Sequence, residues 1–558
     1  MTKTRLYPIY LILLLCFLTT RISAQPESVK QAAQAVFTLT TFQEDGTILS
    51  SSHGVFVGEN GEAISPWSPF IGAHKAVVID TNGKKLDVDV ILGANELYDI
   101  CKFRTVASQT FSASIAKQPS AEGEKVWLSD YSVKKPKFKA LSISKTEKFM
   151  KDFTYYIFTT KQPEALDGCP FLNQQGEIIG FLKHTKKKDE VTATDAALTN
   201  TFELNGLSMN NTTLRQTQIR IAMPQDIESA RLTLLMAGQK NDSAKYAAYI
   251  EDFIRMFPEA VDGYTAKAQN EVNARNFGNA VACMEEAISK VENKDEAHSS
   301  YATLIFNKVI YQPDTLFKDW TLEKALEEAT TANSLHPQPI YQHQQARIHY
   351  SLGNYQEAYN IFNSLTQSSI RNGEVFYEAA QCKMQLKAPR EEIMALLDSA
   401  VNVQKPLSAI SAPYILARGR MYDTNQEYKK ALLDYNLYDS LMNGRADADF
   451  YYLRYKCETH FRSYQQALND IAHAILINRR EPLYYAEMAS LQLKVRYFED
   501  AIKTSEMCIA IAPEYADPYI IKGIALAESG QRESAIETFN RAKELGDERA
   551  DALMEKYK

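Results

Sequence analysis

Apolar and polar residues alternate in short runs along the front of the chain. Val36–Phe42, Gly54–Gly58, Lys75–Ile79, Leu86–Leu92, Val126–Leu128, Tyr155–Thr160 and Glu177–Leu182 each read as a strand bounded by polar turns. Frequent short strands predict an all-β barrel or sandwich from Gln25 to about Pro224. Beyond that point the period changes. Apolar residues recur at helical spacing, and small residues recur on a longer cycle: Ala467, Ala501 and Ala535 lie 34 residues apart. A cycle of that length predicts stacked pairs of helices, in which each pair buries its apolar face against its neighbours.

The last unit shows the cycle most fully. Tyr519, Gly523, Ala535, Phe539 and Ala542 stand at offsets 4, 8, 20, 24 and 27, a pattern that resembles the tetratricopeptide (TPR) consensus. Small residues are needed where the two helices of a pair cross, because axes only about 8 Å apart leave no room for a long side chain. Upstream units carry Tyr485, Ala489, Ala501 and Cys508; Tyr451, Ala467 and Ala474; Gly419, Ala431 and Tyr435; and Ala346, Gly353, Ala358 and Phe362. A looser unit spans about Asn372 to Gln404, and another is interrupted at Tyr311-Gln312-Pro313-Asp314. Tyr264, Ala268, Phe277, Ala280 and Ala287 mark an early repeat, giving eight or nine units over 225–558. Atypical terminal units are expected, since they cap the stack.

The front segment, 25–224, resembles trypsin-like peptidases of the HtrA type. Gly54-Val55-Phe56-Val57 followed by Gly61-Glu62-Ala63-Ile64-Ser65 resembles the strands leading to that family's catalytic histidine. Leu86–Leu92 with Tyr98-Asp99-Ile100-Cys101 resembles the pair that carries the aspartate, and Asp167-Gly168-Cys169-Pro170-Phe171 resembles the serine loop. The resemblance implies a double β-barrel, with Ile221-Ala222-Met223-Pro224 as its closing strand.

In the register of the resemblance the triad is degenerate. Its histidine position falls on Ser68 and its nucleophile position on Asp167, so only Asp99 matches; Ala165 stands at a family glycine. A hydroxyl has no pKa suited to taking the nucleophile's proton and returning it to the leaving amine. A carboxylate at 167 opposes the oxyanion that develops in the transition state. With a typical turnover of about 10 per second and a loss of about 2 × 10⁶ for a missing Ser or His, the residual rate is on the order of one event every two days. Cys169 is the alternative nucleophile, but Pro170 and Asn173 fix it two residues past the required position, where a small buried residue is expected. His53, His74 and His184 all fall outside the histidine position, and without its partner Asp99 reads as a strand-end carboxylate held by backbone donors.

Composition adds limits rather than chemistry. A net charge of −7 on 558 residues gives no hint of nucleic-acid binding. Residues 1–24 read as a secretory signal, with Lys3 and Arg5 ahead of an apolar core and Ile22-Ser23-Ala24 at the cleavage site. The leader resembles those of exported proteins of Gram-negative bacteria and implies a periplasmic or extracellular chain with no membrane span after cleavage. Cys101, Cys169, Cys283, Cys382, Cys457 and Cys508 are spaced for no zinc site and read as buried thiols. No metal or cofactor motif is present, and Lys183, Lys186, Lys187 and Lys188 read as a solvated surface.

In TPR proteins positions 2, 5, 9, 12 and 13 face the groove. Here they include His343, Arg347, Tyr350, Arg420, Tyr452, Lys456 and His460, the candidate surface for a protein or peptide partner. The repeated Asn and Lys arrangement of chaperone-binding TPR proteins is missing. The sequence therefore points to an exported scaffold or adaptor with an inactive trypsin-like module. The alternatives are an atypical endopeptidase and a β domain that binds extended peptide by strand addition.

Overall fold

The computed structural model describes residues 25–558 apart from 108, 133–134, 165–166, 241, 314–316 and 404. The leader, Ala165 and Asp314 lie outside the described residues. Two compact units follow one another, the first ending at Asn293 and the second spanning Lys294–Lys558.

In the first unit a short helix, α1 (Glu27–Ala32), precedes a closed six-stranded barrel. Its strands are β1 (Val36–Phe42), β2 (Ile48–Phe56), β3 (Glu62–Ser65), β4 (Lys75–Ile79), β5 (Lys85–Asn95) and β6 (Ile100–Thr105), in the order β1-β2-β3-β6-β5-β4. All neighbours are antiparallel, and β1 closes the ring against β4 with Thr38 opposite Ile79. Phe37, Phe56, Phe70 and Phe103 fill the interior, with Phe37 and Phe56 ring centres 4.7 Å apart. Gly54 makes that filling possible, because a Cβ there would lie 2.6 Å from the Phe37 ring.

The second half of the β region differs from the expected second barrel. Strands β7 (Lys125–Ser132), β8 (Lys135–Ser142), β9 (Lys145–Phe149), β10 (Phe153–Thr159), β11 (Pro170–Leu172), β12 (Ile178–His184) and β13 (Glu190–Asp195) form a seven-stranded sheet ordered β8-β7-β11-β12-β13-β10-β9. Among the described residues no ladder joins its edges, β8 and β9. They are instead consecutive in the chain, so Ile143 exchanges hydrogen bonds with the β7 side at Gly123 and Glu124 while Ser144 donates to Ile157 of β10. One bent segment thus serves both edges. Ile221, expected in a closing strand, makes a single parallel bridge to Ile91 of β5.

The β region passes into helices α2 (Ile227–Gly238), α3 (Ser243–Met256), α4 (Val261–Asn273) and α5 (Phe277–Lys290). Tyr249 on α3 donates its hydroxyl to the Ile221 carbonyl at 2.8 Å. Arg220 forms ion pairs with Asp252 of α3 and Asp89 of β5, fastening the helix to the barrel.

The second unit is helical throughout its regular structure: α6 (Lys294–Tyr311), α7 (Leu322–Leu335), α8 (Pro339–Ser351), α9 (Tyr355–Leu365), α10 (Gly373–Gln385), α11 (Arg390–Asn402), α12 (Ala412–Thr424), α13 (Tyr428–Met442), α14 (Ala448–His460), α15 (Tyr464–Ile477), α16 (Pro482–Lys494), α17 (Phe498–Ile511), α18 (Asp517–Glu528), α19 (Arg532–Glu544) and α20 (Arg549–Tyr557). Small residues at the crossings behave as the sequence predicts. A Cβ on Gly523 would meet Phe539 at 2.4 Å, and one on Gly419 would meet Tyr435 at 2.8 Å.

Six of the hairpins turn in the same way. Gly353, Lys387, Gln426, Arg462, Arg496 and Gly530 all have positive φ, each two residues past the end of a first helix. The next N–H reaches back five residues, as in Ser463 to Glu458 at 2.8 Å and Gln531 to Leu526 at 2.9 Å. This is the Schellman closure, which satisfies the last carbonyls of a helix.

Candidate functional site

The triad positions separate into two clusters. Ser68 begins a 3₁₀ turn after β3, and Asp99 sits with φ +52° in the turn between β5 and β6. Asp99 Oδ1 accepts the Ser68 N–H at 2.7 Å, and Oδ2 accepts the Ser68 hydroxyl at 3.3 Å. Lys183 Nζ completes the set at 3.0 Å from Oδ2. Asp99 is thus held by a side chain and an ammonium as well as the expected backbone donor, and Lys183 is an ion-pair partner rather than a member of a purely solvated run.

Asp167 belongs to the other cluster. Its Oδ1 accepts the His184 N–H at 2.9 Å and lies 2.6 Å from His184 Nδ1, while the far ring nitrogen lies 3.1 Å from the Pro163 carbonyl. Its own carbonyl accepts from Ser52 Oγ at 2.8 Å and from the His53 N–H at 3.2 Å, tying the loop to β2. His53 lies within β2, not ahead of it. Consecutive strand residues point to opposite faces, so Lys183 and His184 at the end of β12 hold the two carboxylates on opposite sides. The structure joins Ser68 to Asp99 by hydrogen bonds, while the Asp167 carboxylate bonds to His184 instead.

Burial pulls the His184 pKa down, but the hydrogen bond and charge of Asp167 and the Pro163 carbonyl outweigh it, and the net shift is upward. Cys169 is fully buried in the core of the second sheet beside Phe158 and Phe171. Gly168 has φ +91°, and a Cβ there would lie 2.3 Å from the His53 carbonyl oxygen. The Asp167 loop is therefore packed against the barrel.

In the helical unit, His343, Arg347 and Tyr350 lie on α8, Arg420 on α12, and Tyr452, Lys456 and His460 on α14. First helices of neighbouring pairs are joined sideways: His343 Nε2 lies 2.6 Å from Glu378 Oε2, and Tyr452 donates to Glu487 at 3.3 Å, each across 35 residues. The Arg347 guanidinium stands over the Phe306 ring at 5.4 Å and Lys456 Nζ over Tyr452 at 4.8 Å. Burial raises the Tyr377 pKa, and the charge of Arg420 counters the rise. His460 is stacked on Tyr428 at 5.3 Å.

His343 and Arg347 also line a cavity of about 170 Å³ with Phe306, Ile340 and Gln344. Phe306 escaped the sequence reading because the α6 unit carries the long interruption, whereas Ile340 stands on α8, in a unit the sequence did mark. The signal that finds Glu378 and Glu487 is the 35-residue offset between adjacent first helices.

No protein-family model matches the chain. Over 97 residues it is 28% identical to the small glutamine-rich tetratricopeptide repeat-containing protein 2 of Saccharomyces cerevisiae, covering 17% of this chain and 28% of that protein. The crystal structure of the serine endoprotease from Yersinia pestis shares 18% identity with a TM-score of 0.27, over 31% of this chain and 62% of that one. The chain thus spans less than a third of the curated relative and under two thirds of the solved structure. Among the described residues no helix is long and apolar enough to cross a membrane.

Proposed function

We propose that the chain is an exported protein-binding scaffold, in which the helical repeats hold an acidic, extended segment of a partner and the trypsin-like module does not hydrolyse peptides. The observation that carries the reading is a line of cations. Arg347, Arg420 and Lys456 are exposed and occupy the ninth position of their repeats, on α8, α12 and α14. Two of them lie over aromatic rings that shield one face and leave the other open to a carboxylate. Arginine and aromatic groups are the side chains that anchor protein interfaces, and a row of like charge steers an acidic partner.

The β module supports the non-hydrolytic half of the reading. Asp99, the triad match, is occupied by Ser68 and Lys183. Asp167 is committed to His184 on the other side of β12. A trypsin-like peptidase places an imidazole between a carboxylate and a nucleophile, and neither cluster has that order.

The test is binding of the full chain to an array of extended peptides graded in Asp and Glu content. Acidic peptides should bind, and the triple variant Arg347→Gln, Arg420→Gln, Lys456→Gln should weaken them by about tenfold or more. Equal binding by the triple variant would remove the groove from the reading.

A further inference from the structure

Outside both clusters, the first unit contains a cavity of about 380 Å³ between the segment leading out of the barrel and helices α2 and α3. Its volume falls in the range of small-molecule sites, about 300–1,000 Å³. Four cations line it, Arg215, Arg220, Lys240 and Lys245, against one carboxylate, Asp242. Arg220 is already paired with Asp89 and Asp252. Asp242 caps α3, accepting the Lys245 N–H at 3.0 Å, and forms an ion pair with Lys245 at 3.2 Å. Arg215 and Lys240 have no carboxylate within ion-pair distance among the described residues.

The cations feel one another. Partial desolvation at the cavity wall lowers the Lys240 pKa, and repulsion from Arg215 and Lys245 lowers it further. Like charges gathered around a recess are relieved by an anion that enters it. A phosphoryl group suits this wall, because it carries up to two negative charges and three acceptor oxygens. A guanidinium fork and ammonium point charges are the donors that bind it. The recess is larger than a phosphate ion, and Tyr246 and Tyr249 provide an aromatic side for the rest of a ligand.

We propose that this cavity binds the phosphoryl group of a small phosphate ester, with Arg215, Lys240 and Lys245 as its cationic wall. The full chain is titrated by calorimetry with glycerol 3-phosphate and with inorganic phosphate at fixed ionic strength, and in parallel sedimented with phosphatidate-containing vesicles. The expected result is saturable binding of glycerol 3-phosphate at one per chain. The double variant Arg215→Gln, Lys240→Gln should weaken it about tenfold or more, whereas Lys117→Gln should leave it unchanged. Arg215 and Lys240 are exposed, so the unfolding midpoint in phosphate-free buffer should match wild type and separates lost binding from lost folding. Variant-sensitive binding to vesicles alone would assign the phosphoryl group to a lipid headgroup. Absence of binding in every arm, or binding that the double variant leaves intact, overturns the proposal.

Discussion

Lys183 Nζ lies 3.0 Å from Asp99 Oδ2, so the aspartate that matches the triad is neutralised by a lysine from β12 and bound by Ser68 rather than by an imidazole. The pair is half-exposed at the lysine, and such ion pairs contribute only about 0–1 kcal/mol. Lys183→Ala should therefore change unfolding stability by less than about 1 kcal/mol. Asp99→Ala removes the acceptor of the Ser68 N–H and places a Cβ without a compensating side-chain bond at positive φ. It should cost about 1–2 kcal/mol in urea unfolding.

The Asp167–His184 contact makes stability depend on pH. His184 is easier to protonate in the folded chain than in the unfolded one. Its contribution is present in full below the ordinary histidine value of about 6.5 and is lost as pH rises through the higher folded value. His184→Gln should flatten the stability profile in that window, and the ring protons of His184 should titrate above the ordinary value by NMR. A ring titrating below it would contradict the geometry.

Glu458 on α14 adds a second contribution with the same sign, stability falling as pH rises. It is buried with Oε2 unpartnered, and burial together with the Asp470 charge raises its pKa, with Arg454 opposing. The folded chain therefore holds a proton that the unfolded chain gives up above about pH 4.3, and stability falls as pH rises toward the folded value. Glu458→Gln should stabilise the protein more at pH 8 than at pH 5 in parallel denaturation curves.

Arg454 forks onto Asp470 with Nε and Nη2 at 2.6 and 2.8 Å, and Arg418 forks onto Asp434 at 2.8 Å for both nitrogens. Breaking one side leaves a buried charge, so Arg454→Met should cost about 3–5 kcal/mol. Arg454→Met with Asp470→Leu should recover much of that loss, which thermal unfolding of the pair would show.

Gly523 and Gly530 separate packing from backbone effects. Gly530 has φ +88° and open space around it, so Gly530→Ala should cost about 1–2 kcal/mol from the left-handed backbone. Gly523→Ala pushes a methyl into the Phe539 ring and should cost about 1–3 kcal/mol. Gln426→Gly, at the same turn position as Gly530, should not destabilise.

How much of this was visible in the sequence follows from where each element spends its apolar residues. The seven expected strands all appear, and β1 and β4 have the expected limits. Strands β8 and β9 left no alternation because they are sheet edges carrying Lys137, Lys139, Lys145 and Lys148, the charges that keep an edge from pairing with another chain. Strand β13 buries Val191 and Ala193 beside Thr192 and Thr194, so its burial does not show as apolar alternation. The 34-residue cycle exposed the repeats, but the left-handed turns at Lys387, Gln426, Arg462 and Arg496 carry no glycine to announce them. At the β site, Ser68 and Asp99 were legible as positions but not as bonded partners, since the sequence offered Asp99 only backbone donors. The commitment of Lys183 and His184 to opposite carboxylates depends on strand β12 ending where it does, which local sequence does not encode.

The most direct measurement is incubation of the purified full chain with an unfolded casein-type substrate, comparing wild type with Ser68→Ala, Asp167→Ala and Cys169→Ala by intact mass over several days. The scaffold account predicts uncleaved substrate in every sample. Steady cleavage by wild type that one of the three substitutions abolishes would contradict it and identify that residue as the nucleophile.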